Sequence, residues 1–322
     1  MTIRHLSSAA AVRNALFMDS KPEAAAVDIP TLALAGGIYL CFGLLTWFHR
    51  DLPWWVIAPL GGYLLALYGS LLHEATHGYP SRVNWITQAI VFPALWLWLP
   101  FNVYREAHLT HHRDERLTCP LTDPESNYAT PSIWARMGPV HRWIRRALAT
   151  LAGRLVIGPP YVVWRACCRI AAAVEDNNSA YLAQWLRHLP AVAVVLFWVM
   201  ALCRIPLWQY ILLYVYPGIS LTLLRSYAEH RAALATAERT ATVRTNPVMA
   251  FLYAFNNLHA LHHAEPATAW YRRPARYRLR QQELDQSNGG YVIQGYGELF
   301  RRYLFTGKEP PVHPLAGQGF PL

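Results

Sequence analysis

The chain has 322 residues, is 54% hydrophobic and carries a formal charge of +10 at neutral pH, with 27 arginines against two lysines. A chain of this length could bury a large core in water, so apolar content alone excludes little; the distribution decides, because the apolar residues gather in long uncharged runs that soluble helices seldom show. The positive balance does not point to nucleic acid, since no basic block stands apart from those runs, and the five cysteines (Cys41, Cys119, Cys167, Cys168, Cys203) lack metal or disulfide spacing.

Residues 1–30 read as a polar leader retained on the cytoplasmic side. The first apolar run starts too late for a signal peptide and ends without a small-residue cleavage site. Runs 31–48 and 54–72 are uncharged, and at about 1.5 Å per residue each reaches roughly the 27–30 Å of a bilayer's hydrocarbon core. "HRDLP" (49–53) turns the chain between them. "HEATH" (73–77) follows directly, before "GYP" stops the helix at Pro80. Residues four apart share a helical face, so His73 and His77 point the same way.

The run 85–101 is long enough to span, but Pro93 interrupts it and its Trp-rich bulk suits an interface. A full crossing would also separate the first histidine cluster from the second. It is expected to be re-entrant or interfacial. "HLTHH" then gives His108, His111 and His112 at i, i+3 and i+4 of a helix that Asn102 can cap. Residues 132–187 hold eight arginines against two acids, interleaved with Trp134, Trp143, Tyr161 and Trp164. This suits amphipathic helices in the headgroup plane, broken into two by "IGPP" (157–160); a basic solvated domain is the plainer alternative.

A second hairpin follows, crossing at 189–203 and 206–224 with a turn near "RIP" (204–206). If both turns face outward, only Arg50 and Arg204 of the 29 basic residues lie outside, the asymmetry that orientation by positive charge requires. "HALHH" gives His259, His262 and His263 on a helix expected to start at Asn246 and Pro247. Residues 266–322 read as a cytoplasmic C-terminal segment, a helix and then a loose tail. Residues 31–265 make one membrane domain, with no repeat besides the paired hairpins.

Eight imidazoles in three clusters at one membrane surface would be costly if protonated together and unsatisfied if enclosed by apolar neighbours. Metal binding resolves both, because neutral imidazole is the commonest metal ligand. One zinc takes three or four ligands, so eight suit two ions. Imidazole accepts Fe, Zn, Cu or Ni, and ligand type alone does not choose. "HEATH" by itself also fits an intramembrane zinc protease, which would leave six clustered histidines idle. A non-catalytic metal carrier is the other rival, but no histidine or acid lies inside the four expected spans.

The order of H-E-x-x-H after one hairpin, H-x-x-H-H, a second hairpin and H-x-x-H-H resembles the integral-membrane fatty acid desaturase and hydroxylase superfamily over roughly residues 31–265. "DPES" (123–126) and "NNLHALHH" (256–263) look like that family too. The resemblance implies an all-α integral membrane protein, with four transmembrane helices in two hairpins and a cytoplasmic helical cap carrying the histidine boxes. It implies one further ligand after the second hairpin, where "RSYAEHR" (225–231) offers His230. The candidate ligands are then His73, His77, His108, His111, His112, His230, His259, His262 and His263.

By the same resemblance the metals are two irons, the co-substrate is O2, and the commonest activity is introduction of a C=C bond into a lipid or acyl chain. Hydroxylation or ketolation of a lipid, alkane or carotenoid, and desaturation of a small amino-acid-like metabolite, use similar boxes. No cytochrome domain is fused, so electrons come from a separate ferredoxin, rubredoxin or cytochrome. The arginine bias suggests a bacterium, hence an inner membrane, with both termini and the metal site cytoplasmic. Glu74, Asp123 and Glu229 are candidates to accept the distal N–H of a ligating ring and fix its tautomer, the alternative being salt bridges with nearby arginines. Glu74 is a weak match to a general base. His5, His49, His141, His188 and His313 read as structural or interfacial.

Overall fold

The computed structural model describes residues 27–81, 83–113 and 117–316, and they are mostly helical. The leader through residue 26, with His5, and the tail from residue 317 lie outside the described residues. The first span, α1 (Ile29–Trp47), starts at Asp28, whose carboxylate accepts the Thr31 amide at 3.0 Å, with Pro30 in the first turn. A single turn through His49–Asp51 leads into the second span, α2 (Trp54–Thr76), which runs past the expected end at 72 and carries His73 in its last turn.

The segment 85–101 holds no helix long enough to cross a membrane. It forms α3 (Asn84–Val91), eight residues long, and then irregular backbone up to Pro100. Non-helical backbone within a membrane bundle must find donors for its carbonyls. Here Tyr39 meets Ile90, Tyr68 meets Pro93 at 2.8 Å, and Tyr210 meets Leu95 at 2.8 Å. Trp96 Nε1 in turn donates to the Leu65 carbonyl, halfway along α2, at 2.9 Å. These contacts hold the segment against α2.

The next helix, α4 (Phe101–His111), is capped by Pro100 and not by Asn102. Pro100 already has the extended backbone of a helix start and its carbonyl takes the Tyr104 amide, so Asn102 falls inside the helix. The basic stretch forms four helices instead of two: α5 (Pro131–Arg136), α6 (Pro139–Leu148), α7 (Leu151–Val156) and α8 (Gly158–Glu175). Each has its own start signal: Thr130 before Pro131, Gly138 before Pro139, the Thr150 hydroxyl on the Gly153 amide, and Pro159 after Gly158.

The third span, α9 (Ser179–Leu202), begins ten residues earlier than expected, capped by Asn178 on the Tyr181 amide, and continues through Pro190. The fourth, α10 (Leu207–Glu229), contains a π turn at Ile211–Val215. Beyond it, β1 (Thr242–Val243) pairs in parallel with β2 (Val292–Ile293). Asn246 does cap a helix, α11 (Pro247–Leu252), but Ala254 and Phe255 turn left-handed (φ 46° and 55°) and α12 (His259–Ala264) is separate. The C-terminal segment holds α13 (Arg273–Ser287) and α14 (Tyr296–Tyr303), more structure than one helix and a tail.

Span α2 is the hub, 67% buried against 17% for α9. It meets α10 at small residues that let backbones approach: a Cβ on Gly218 would lie 2.6 Å from Leu65 Cβ. At the opposite end from the histidines the two hairpin turns touch, Arg50 donating to the Arg204 carbonyl at 3.2 Å. Trp47, Trp54, Trp55 and Trp208 are exposed around those turns, as in an interfacial aromatic belt.

Candidate metal centre

Four elements deliver the histidines. His73 and His77 end α2; His108, His111 and His112 end α4; His230 follows the last residue of α10 in extended backbone; α12 supplies His259, His262 and His263. All nine converge, in two groups: His73, His77, His108, His112 and His262, and then His111, His230, His259 and His263. Within each group one nitrogen per ring lies within 4.8 Å of every other. The helical spacing sorts them. Pairs four apart (73/77, 108/112, 259/263) stay together, while the residues three apart (108/111, 259/262) go to opposite groups.

The Nε2 atoms face one another. In the first group His108 Nε2 lies 3.2 Å from His77 Nε2 and 3.0 Å from His112 Nε2, which is 2.9 Å from His262 Nε2. In the second, His230 Nε2 lies 3.0 Å from His111 Nε2 and 2.9 Å from His259 Nε2, which is 3.1 Å from His263 Nε2. A neutral ring has one N–H, and several of these rings use it at Nδ1. His108 Nδ1 is 3.0 Å from Glu125, His111 Nδ1 is 3.0 Å from Asp123, and His230 Nδ1 is 3.2 Å from the Arg239 carbonyl. His108 and His230 therefore turn Nε2 lone pairs towards neighbouring Nε2 atoms, an arrangement that suits a cation between them. Nitrogens about 2.0–2.1 Å from a metal and at right angles lie about 3 Å apart, which is the spacing seen. His73 Nε2, buried and without a hydrogen-bond partner, fits the same donor set.

Electrostatics keep most rings neutral. Burial pushes His77, His112, His230, His259 and His262 well below the usual imidazole value, and neighbouring cationic rings push them further. For His108, burial outweighs the pull of Glu125. His111 is the exception: burial alone would lower it, but Glu125, Asp123 and Glu229 raise it to about 9. Burial would raise the Glu125 carboxyl, yet His111 and His108 hold it below the usual range.

Each expected carboxylate approaches a ring. Glu74 Oε1 lies 3.1 Å from His73 Nδ1 and 2.7 Å from Arg273 Nη2. Asp123 sits against His111 Nδ1 with both oxygens, held by the amides of Thr118 (2.8 Å) and Glu125 (2.9 Å). Glu229 Oε1 lies 3.2 Å from His259 Nδ1, 3.0 Å from Arg225 Nε and 3.0 Å from Asn256 Nδ2. All three are buried, so they are not surface salt bridges. Sequence reasoning missed Glu125, two residues beyond Asp123 inside "DPES", and the buried guanidinium groups of Arg225 and Arg273. The remaining described histidines lie outside both groups: His49 meets Tyr214 and Gln209, His141 meets Tyr161, His188 meets the Leu97 carbonyl and His313 meets Thr118.

A family model described as "Fatty acid desaturase" matches residues 51–295, more than half of the chain. No curated protein matches it.

Proposed function

Since the chain belongs to the fatty acid desaturase family, and is therefore an integral membrane oxidoreductase of the desaturase/hydroxylase type, we propose that it desaturates a lipid acyl chain, using O2, two irons held by the nine histidines, and electrons from a separate donor protein. The observation that carries this reading is the two sets of Nε2 atoms turned towards one another at 2.9–3.2 Å. Bound there, an iron pair supplies the oxidising power that turns O2, two electrons, two protons and two C–H bonds into one C=C bond and two waters.

The protein's own part is to hold that donor set in one geometry. Glu74, Asp123, Glu125 and Glu229 lie within reach of the Nδ1 atoms of His73, His111, His108 and His259 and keep the Nε2 atoms inward. Arg273 and Arg225 offset the negative charge on Glu74 and Glu229. A Glu74 tied to Arg273 and His73 is poorly placed as a proteolytic base, which argues against the zinc-protease reading. The substrate's place is a cavity of about 310 Å³ lined by Tyr68, Leu72, Val91, Phe101, Asn102 and Gln184 among others. Leu72 adjoins His73, and Phe101 and Asn102 open the helix that ends in the second cluster. The arginine-rich side carrying the centre faces the cytoplasm of a bacterium, where an acidic ferredoxin, rubredoxin or cytochrome docks.

Expression in a host of known lipid profile, followed by mass spectrometry of lipids and small metabolites, tests the reaction. Loss of two hydrogens from an acyl lipid is the expected result. Gain of one oxygen makes the enzyme a hydroxylase, a change confined to small metabolites reassigns the substrate, and an unchanged profile contradicts the reading.

A further inference from the structure

The last turn of α10 stops one residue short of His230, and helix ends leave carbonyls without intrahelical donors. Lys308, far along the chain in the segment after α14, supplies them. Its Nζ lies 2.6 Å from the Tyr227 carbonyl and 2.6 Å from that of His230 itself. A cation there also complements the negative end of the helix. Lys308 is one of only two lysines among 29 basic residues. A compact ammonium with three donors can meet two carbonyls from different directions, where a planar guanidinium fork would not fit the same point. The ammonium is enclosed by the rings of Tyr227 and Tyr291, each centroid 5.5 Å away.

The residues after Lys308 reach the other half of the four-histidine group. Glu309 accepts the Ala232 amide at 3.0 Å and the Tyr128 hydroxyl. Ala129 donates to the Pro311 carbonyl at 2.8 Å and accepts the His313 amide at 3.0 Å, and His313 Nε2 lies 3.2 Å from Thr118 Oγ1. Residues 118–129 form the loop that presents Asp123 and Glu125. One short segment thus binds both the backbone of His230 and the loop behind His111, and those two rings face each other at 3.0 Å. The hydrogen bonds of Lys308 and Glu309 reach no histidine of the five-histidine group.

We propose that residues 308–313 are a strap that sets His230 against His111, with Lys308 as the positioning residue, and that the four-histidine group depends on Lys308 while the five-histidine group, which the strap reaches only through the loop carrying Glu125, does not. The inference rests on the reading of the two groups as iron sites. The Arg239 carbonyl on Nδ1 and the bridge from His230 to Thr240 hold the same residue from its other side, so the contribution of Lys308 has to be measured.

The measurement is iron per chain, by elemental mass spectrometry of detergent-purified protein. The wild type, Lys308→Met, His108→Ala and the double variant are compared, each checked for a single gel-filtration peak and unchanged helical circular dichroism. About two, one, one and zero irons are expected in that order. Two irons retained in Lys308→Met overturn the strap. So does one iron surviving in the double variant when His108→Ala alone has lost one, since both substitutions would then have emptied the same group. If Lys308→Met is not monodisperse, Glu309→Gln, which keeps the ammonium and loosens the neighbouring anchor, is expected to fall towards one iron, and an unchanged two overturns the proposal. Iron-free wild-type protein overturns the reading of the centre instead.

Discussion

His111 and Asp123 form the smallest unit of the centre, a ring whose Nδ1 proton goes to a carboxylate and whose Nε2 is left for a cation. Removing that orienting partner typically costs 10–100-fold in metal affinity. Asp123→Ala should therefore lose iron to a competing chelator at about 10–100-fold lower concentration than the wild type; equal chelator resistance would mean that Asp123 orients nothing. Arg273 and Glu74 make a different unit, an ion pair with no exposed surface on either side chain. Stripping one member of a buried pair costs about 3–5 kcal/mol, because the other charge is left unpaired. Arg273→Met should accordingly melt well below the wild type in detergent, and an unchanged melt would show that Glu74 is satisfied without it. The convergence of the histidines was legible because spacing of three and four residues fixes a helical face whatever the tertiary fold. Glu125 was not, since it lies in a loop with no periodicity. Nor were Arg225 and Arg273, because nothing distinguishes a buried arginine among 27.

Among the elements, the four spans follow from uncharged runs, but their ends on the histidine side do not. The apolar signal fades where the chain begins to build the centre, not where the helix stops. So α2 continues past Leu72 through "HEAT", α10 continues past Leu224 to Glu229, and α9 starts before Arg187 and His188 dilute its run. The break between α11 and α12 is equally silent in sequence, because its left-handed residues are Ala254 and Phe255, not glycine. The segment 85–101 depends on close contact with α2. A Cβ on Gly69 would come within 2.2 Å of the Trp96 ring, itself buried. Gly69→Ala should thus overpack this seam and destabilise by about 1–3 kcal/mol, read as a lower melting temperature in detergent. A melt equal to or above that of the wild type would show that the seam can give way.

For the whole molecule, the proposed orientation rests on where positive charge is absent. The two hairpin turns meet at one end, Arg50 on the Arg204 carbonyl, and the histidines lie at the other. In a background with Cys41, Cys167 and Cys168 replaced, since these thiols are exposed, Arg50→Cys should react with a membrane-impermeant thiol reagent applied to intact cells. Arg301→Cys on α14 should react only after permeabilisation, and the reverse pattern would turn the protein over. The nine imidazoles lie together at one end of the bundle, and the most direct test of what they hold is iron K-edge X-ray absorption on purified, active protein. The expected spectrum shows nitrogen-dominated first shells at about 2.0–2.2 Å. Active protein without iron, or iron in a shell of sulfur or of oxygen alone, would contradict it.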